Sequence, residues 1–252
     1  MRVPYRSEED IERSAEALLA EFTNDRGLVV QPPVPVEDIM EKHLKLCLGF
    51  DQLHELLGVP QVGPQPDIFG AIWVERGEIL IDQSLDPDER PALEGRYRFT
   101  LAHEGGHWRL HRALLQADRR QGSLFGQAPR PGVICRTSQA KEPIEWQADS
   151  FAASLLMPRS LVYGVWHERF GHTNPLILKR KDRIPLNTIE DPALRSAFAA
   201  AEQGRDDAVL ERFVRPMSAR FKVSPIAMRI RLEKLGLLRR DVPRQHDLAS
   251  LA

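Results

Sequence analysis

The residues His103-Glu104-Gly105-Gly106-His107 hold the densest chemistry in the chain. On a helix, residues four apart share a face, with Cβ atoms roughly 5–6 Å apart. Two imidazoles at that spacing can meet one zinc ion, and the Glu beside the first can reach a water on the metal. His111, four residues further on, extends the row. At 1.5 Å rise per residue it lies about 12 Å along the axis from His103, too far to share one ion. His111 is therefore read as a packed or supporting residue.

A third ligand must come from another element. Glu145 is the candidate, on a separate stretch of helical character, with Asp149 one turn later on the same face. Glu145 can bind zinc while Asp149 accepts a hydrogen bond from the far ring nitrogen of a ligand His, fixing its tautomer. With three protein ligands, His103, His107 and Glu145, the fourth position stays open, as hydrolytic zinc requires. A structural zinc would be closed by four ligands, often Cys, and Cys47 and Cys135 lack the spacing. The expected cofactor is thus Zn2+, with Glu104 as the base that takes a proton from water and passes it to a leaving amine. Tyr163, His167 and His172 lie downstream of the third ligand and are candidates for stabilising a developing oxyanion. His43 and His54 have no partner in a spaced motif and are read as packing or surface residues.

The elements that must position these groups read as follows. Ser7 caps a helix to Phe22, with an acidic first turn and Ile11, Ala15, Leu18, Leu19 and Phe22 as its apolar stripe. A short helix spans Val36–Leu44, and Leu44–Phe50 is a first strand. Ile68–Glu75 and Glu78–Asp82 form a hairpin, which can receive substrate as an added strand. Residues 118–141, broken by Gly and Pro, are expected to be a loop: a surface insertion, or a lid over the metal cleft. Helices follow at Glu142–Met157, with Pro143 in the first turn, and at Ser160–Phe170. Everything after the basic run Lys179–Arg183 is expected to be helical. The last helix starts at Ser224 and Pro225, turns Ile226, Ile230 and Leu235 inward and stops at Gly236. The fold class is α+β: a mostly helical domain with a small β-sheet or hairpin over residues 1–178, then a helical region over 179–252, helix-turn-helix-like at 205–238.

Bulk composition narrows the setting. A length of 252 residues is enough to bury a sizeable core, and a net charge of −1 gives the whole chain no electrostatic pull toward nucleic acid or anionic membrane. The acidic N-terminal stretch does not read as a signal peptide, and no apolar run has the length of a membrane span. Two cysteines make no disulfide framework, so a reduced, cytoplasmic setting is expected.

The run Arg98-Phe-Thr-Leu-Ala-His-Glu-Gly-Gly-His-Trp-Arg-Leu-His111, joined to Glu145-x-x-Ala-Asp-x-Phe-Ala-Ala-x-Leu-Leu-Met-Pro158, resembles the ImmA/IrrE family of bacterial zinc metallopeptidases. Gly70-Ala-Ile-Trp, Glu78–Asp82 and Phe221–Gly236 fit the same pattern, so the resemblance runs from about residue 7 to 238. It implies a zincin-like, gluzincin-type endopeptidase with ligands His103, His107 and Glu145 and Glu104 as base. It also implies a protein substrate, a helix-turn-helix transcriptional repressor cut in mobile-element or stress-response regulation. Gly105 departs from the family, which more often has a larger apolar residue there, and points to close packing behind the site. The competing reading is a DNA-binding regulator with a structural or inactive metal site, since Lys222–Arg244 holds seven basic residues against two acids. The near-neutral chain disfavours it, and that stretch is expected to be the solvated face of a packed helix.

Overall fold

A computed structural model describes residues 3–61, 67–122, 133–136, 142–179 and 191–240. The architecture is α+β and mostly helical, and it divides into two compact units. The first comprises Met1–Val162 with Ser218–Ser224; the second comprises Tyr163–Met217 with Pro225–Ala252. The expected domains, 1–178 and 179–252, partition the chain differently.

The first unit opens with α1 (Glu8–Arg26). Its start is a capping box: Ser7 accepts from the Asp10 amide, and Asp10 returns a bond to the Ser7 amide. Its end is Gly27 at φ 62°, a left-handed stop suited to glycine. The stripe Ile11, Ala15, Leu18, Leu19 and Phe22 is buried, as its spacing predicts. Next come α2 (Val36–Asp38), running into a π turn over Ile39–His43, then β1 (Cys47–Asp51) and α3 (Leu53–Leu57). Strands β2 (Ile68–Trp73) and β3 (Glu78–Asp82) form the expected antiparallel hairpin.

Among the described residues the sheet has four strands in the order β1-β3-β2-β4, with β1 parallel to β3 and the other pairs antiparallel. Both hairpin strands are therefore interior, with both ladders occupied. Among the described residues only β1 and β4 lie at edges, so the hairpin offers no free edge to a further strand.

The site helix α4 (Glu94–Gly106) opens into a π turn over His107–His111 and continues as α5 (Arg112–Gly122). Buried Arg98 ties α4 to α2 by bonding Glu37 and the Val34 carbonyl. The stretch 118–141, expected to be a loop, instead contains the end of α5 and strand β4 (Val133–Arg136). Four residues after Pro131-Gly132 give little local signal, and pairing with β2 supplies the structure that propensity alone does not. Residues 123–132 and 137–141, where a lid was the alternative, lie outside the described residues. Helix α6 (Pro143–Leu156) starts with proline at its first position and packs against α1 and α4.

Helix α7 (Arg159–Phe170) leads into the second unit, where Trp166 is fully buried. The chain after Arg183, expected to be wholly helical, also holds a strand at Leu238–Arg240. Strand β5 (Leu176–Leu178) pairs in parallel with β6 (Leu238–Arg240), a long-range contact invisible to local pattern. Helix α8 (Pro192–Phe221) and α9 (Pro225–Lys234) are joined through Lys222–Ser224. On α9, Ile226 and Ile230 face outward, 51% and 43% exposed, where they were expected inside. Met228, Leu232 and Leu235, spaced four and three apart, take the inward face, and Leu235 alone of the expected three is buried. Three of the basic groups here meet acidic partners. Arg229 meets Asp207, Glu211 and Glu233; Arg240 meets Asp207 and Glu233; Lys222, in the first unit, meets Glu94. Most of the basic run Lys179–Arg183, and Arg244, lie outside the described residues. No helix among the described residues is long and apolar enough to cross a membrane.

Candidate metal centre

From Thr100 to His107 every residue of the site helix is buried, so its polar groups must find partners inside the protein. Two consecutive glycines in this run cost about 1 kcal/mol each in helix propensity relative to alanine. Packing explains both. A Cβ on Gly105 would lie 2.2 Å from Met40 Cε, so the π turn carrying Met40 closes behind the site where a larger residue would otherwise sit. A Cβ on Gly106 would lie 3.2 Å from both the Cα and the carbonyl oxygen of Ala148 on α6. Gly106 thus lets α6 approach α4 backbone to backbone, and α6 carries Glu145.

That approach brings three ligand atoms to one place. His103 Nε2 is 3.0 Å from His107 Nε2 and 3.0 Å from Glu145 Oε2, while His107 Nε2 is 3.5 Å from Glu145 Oε1. Ligands about 2.0–2.1 Å from a tetrahedral ion are separated by roughly 3.3 Å, so these spacings match the edges of a zinc coordination shell. Among the described residues, His103, His107 and Glu145 are the group of His, Cys or acidic side chains able to hold a metal ion. Two imidazole nitrogens and a carboxylate oxygen, all buried, form a donor set that suits such an ion.

Electrostatics support the fit. Burial pushes His107 down to about 4, so its ring is neutral and able to coordinate at neutral pH. Burial works to raise Glu145, but hydrogen bonds from His103 and His107 prevail and hold it at about 2. A cation at the same point would take the place of the Nε2 protons in those bonds, leaving each ring only the proton on its far nitrogen. Glu104 is different. It is 0% exposed, both carboxylate oxygens lack a hydrogen-bond partner, and burial lifts it to about 8. An unpartnered buried carboxylate is costly unless something at the site answers it. Its space is made by β2: a Cβ on Gly70 would lie 2.5 Å from Glu104 Oε1.

The supporting residues fall out as follows. Asp149 Oδ1 lies 2.8 Å from His103 Nδ1 and accepts its proton, leaving Nε2 free for the metal. We expect Asp149→Asn to weaken zinc binding by about 10–100-fold, measured by competition with a chromophoric chelator. An unchanged affinity would remove Asp149 from the site. His111 stays out of the metal group, as the axial rise predicts; its Nδ1 is 3.1 Å from His107 Nδ1 and its Nε2 is 3.0 Å from Gln147 Oε1. His43 meets Asp25, and His54 meets Asp67 and the Val59 carbonyl, so both are packing residues.

Tyr163, His167 and His172, the candidate oxyanion donors, all belong to the second unit. The Tyr163 hydroxyl donates to the Leu235 carbonyl at 3.0 Å, His172 stacks on Phe170, and His167 is exposed. Two site residues carried no sequence signal of their own. Gly70 reads as an ordinary strand residue, and Gln147, two positions after Glu145, fits no ligand spacing.

Residues 72–181 match the family model of the IrrE N-terminal-like domain of the M78 peptidases. That span contains His103, Glu104, His107, Glu145 and Asp149. No curated protein matches the chain.

Proposed function

We propose that this chain, whose residues 72–181 match the IrrE N-terminal-like family model of a metallopeptidase-type domain, is a zinc-dependent endopeptidase acting on a protein. The observation that carries the reading is Glu104: a buried, unpartnered carboxylate one residue from a ligand, beside three converging donor atoms. A group with that surplus acceptor capacity suits proton transfer.

When bound, the zinc supplies Lewis acidity toward the scissile carbonyl and makes a neighbouring water a better nucleophile. Glu104 takes one proton from that water as the oxygen adds to the carbonyl carbon. It then delivers the proton to the amide nitrogen as the C–N bond breaks, leaving a carboxylic acid and an amine. His103, His107 and Glu145 would hold the ion, and Asp149 would keep the His103 ring in its ligating tautomer. Gly70 keeps the space beside Glu104 clear.

Substrate delivery follows from strand order. The catalytic Glu packs on β2, and β4 is the strand that pairs with β2 on the sheet's outer side. Among the described residues β4 has no partner on its other edge, so an extended substrate segment adds there by main-chain hydrogen bonds. The preferred substrate is a helix-turn-helix transcriptional repressor, cut in a stress-response or mobile-element circuit in the cytoplasm. The DNA-binding alternative is weakened by the ion pairs of Lys222, Arg229 and Arg240, whose charges are met by neighbouring carboxylates.

Incubation of purified protein with the repressor encoded beside it tests the reading. A cut that disappears with chelator and returns with about one equivalent of zinc is expected. A zinc-loaded protein that leaves the repressor and a peptide library intact would overturn the peptidase reading.

A further inference from the structure

The two ligand histidines are held by different devices. His103 leans on Asp149, a carboxylate whose side chain is 40% exposed. His107 has no carboxylate on its far nitrogen. Its Nδ1 faces the Nδ1 of His111 at 3.1 Å. His111 Nε2 faces Gln147 Oε1 at 3.0 Å, and Gln147 Nε2 donates to the Pro4 carbonyl at 2.9 Å. His107, His111 and Gln147 are all buried, so bulk water does not compete for the bonds among these three side chains.

We propose that His111 and Gln147 are positioning residues, forming a one-way hydrogen-bond chain that sets the proton of ligand His107 from the backbone carbonyl of Pro4. The direction follows from the last link. A carbonyl oxygen only accepts, so Gln147 must turn its NH2 toward Pro4 and its Oε1 toward His111. The reverse amide orientation would set two acceptors against each other at 2.9 Å, with neither bond made. Gln147 Oε1 then requires a proton on His111 Nε2. A neutral His111 ring therefore presents a bare Nδ1, which accepts from His107 Nδ1–H. With its proton held there, His107 keeps the Nε2 lone pair free, directed at His103 Nε2 and Glu145. Each link leaves one arrangement of hydrogens for the next.

The chain coincides with the π turn over His107–His111, a widening that helices adopt rarely and often at functional sites. His111 is thus a residue acting through a ligand, on a stretch where an uninterrupted α-helix would be the cheaper backbone. The buried neutral pair also differs in kind from the Asp149 device. It orients the ring without adding a negative charge beside Glu104 and Glu145.

The proposal rests on His107 being a metal ligand. It is tested by zinc affinity of the purified full chain, using a competing chromophoric chelator, with His111→Phe, His111→Gln and Gln147→Leu beside the parent. His111→Phe and Gln147→Leu are expected to bind zinc about 10–100-fold more weakly. His111→Gln, which can accept from His107 and donate to Gln147, is expected to retain most of the affinity. Melting of the metal-stripped proteins separates positioning from folding, and the visible spectrum of the cobalt-loaded proteins reports the altered ligand field. In the zinc-loaded parent, nitrogen-15 NMR is expected to show His111 as the Nε2–H tautomer. Equal zinc affinity in His111→Phe and the parent, or an Nδ1–H tautomer at His111, would overturn the chain. A parent that binds no zinc would instead overturn the metal centre itself, and the chain's role with it.

Discussion

Replacing Glu104 by Gln is expected to leave the protein folded and zinc-loaded while lowering turnover by about 10²–10⁴-fold, the usual contribution of a general base. The amide has nearly the shape of the carboxylate, so the space beside Gly70 and Thr100 still accommodates it. What it lacks is a lone pair basic enough to take a proton from water. The ligands His103, His107 and Glu145 are untouched, so metal content stays at about one equivalent, which separates loss of chemistry from loss of the site. The stability of the metal-free protein gives a second reading. Glu104 is fully buried without a partner, and a neutral amide is cheaper to bury than a carboxylate held up to about 8 by desolvation. The stripped variant is therefore expected to melt no lower than the stripped parent. Turnover equal to that of the parent would remove Glu104 from the reaction.

Substituting Gly106 by Val is the change expected to dismantle the site from a distance. The first added carbon already lies 3.2 Å from the Ala148 backbone and from Phe151 Cδ1, and valine adds two more methyl groups. Helix propensity alone would favour valine over glycine, by about 0.5 kcal/mol. Backbone atoms of a packed helix cannot step aside, however, and overpacking of this kind costs about 1–3 kcal/mol. The expected result is a lower melting temperature, by about 2–4 °C per kcal/mol, together with a large loss of zinc affinity. Glu145 sits one turn before Ala148 on α6, so a retreat of that helix draws the third ligand away from His103 and His107. Gly105 poses a softer problem, because the atoms it would meet are the flexible end of Met40. A Gly106→Val protein with the parent's melting point and zinc affinity would show that close helix approach is not what seats Glu145.

Most of the site was legible in the chain because its signals are local. The spacing of His103 and His107, the axial distance that removes His111, and the turn between Glu145 and Asp149 all follow from one helical repeat. The same holds for the capping box at Ser7 and the apolar stripe of α1. Tertiary structure decided the rest. Strand β4 exists because β2 offers it a ladder, and β5 pairs with β6 across most of the second unit's length in sequence. The inward face of α9 fell to Met228 and Leu232 rather than Ile226 and Ile230, since two apolar faces on one helix look alike until one is packed. Glu104 had its identity from the motif, but its buried and unpartnered state depends on Gly70, thirty-four residues earlier on a strand. The reach of Glu145 depends on the missing side chain of Gly106, and the proton on His107 depends on a carbonyl at Pro4. The chain alone determined which groups can bind a metal, because that is set by chemistry and helical spacing. Only the packed fold determined how closely they meet and which of their protons are held, because those depend on segments far apart in sequence.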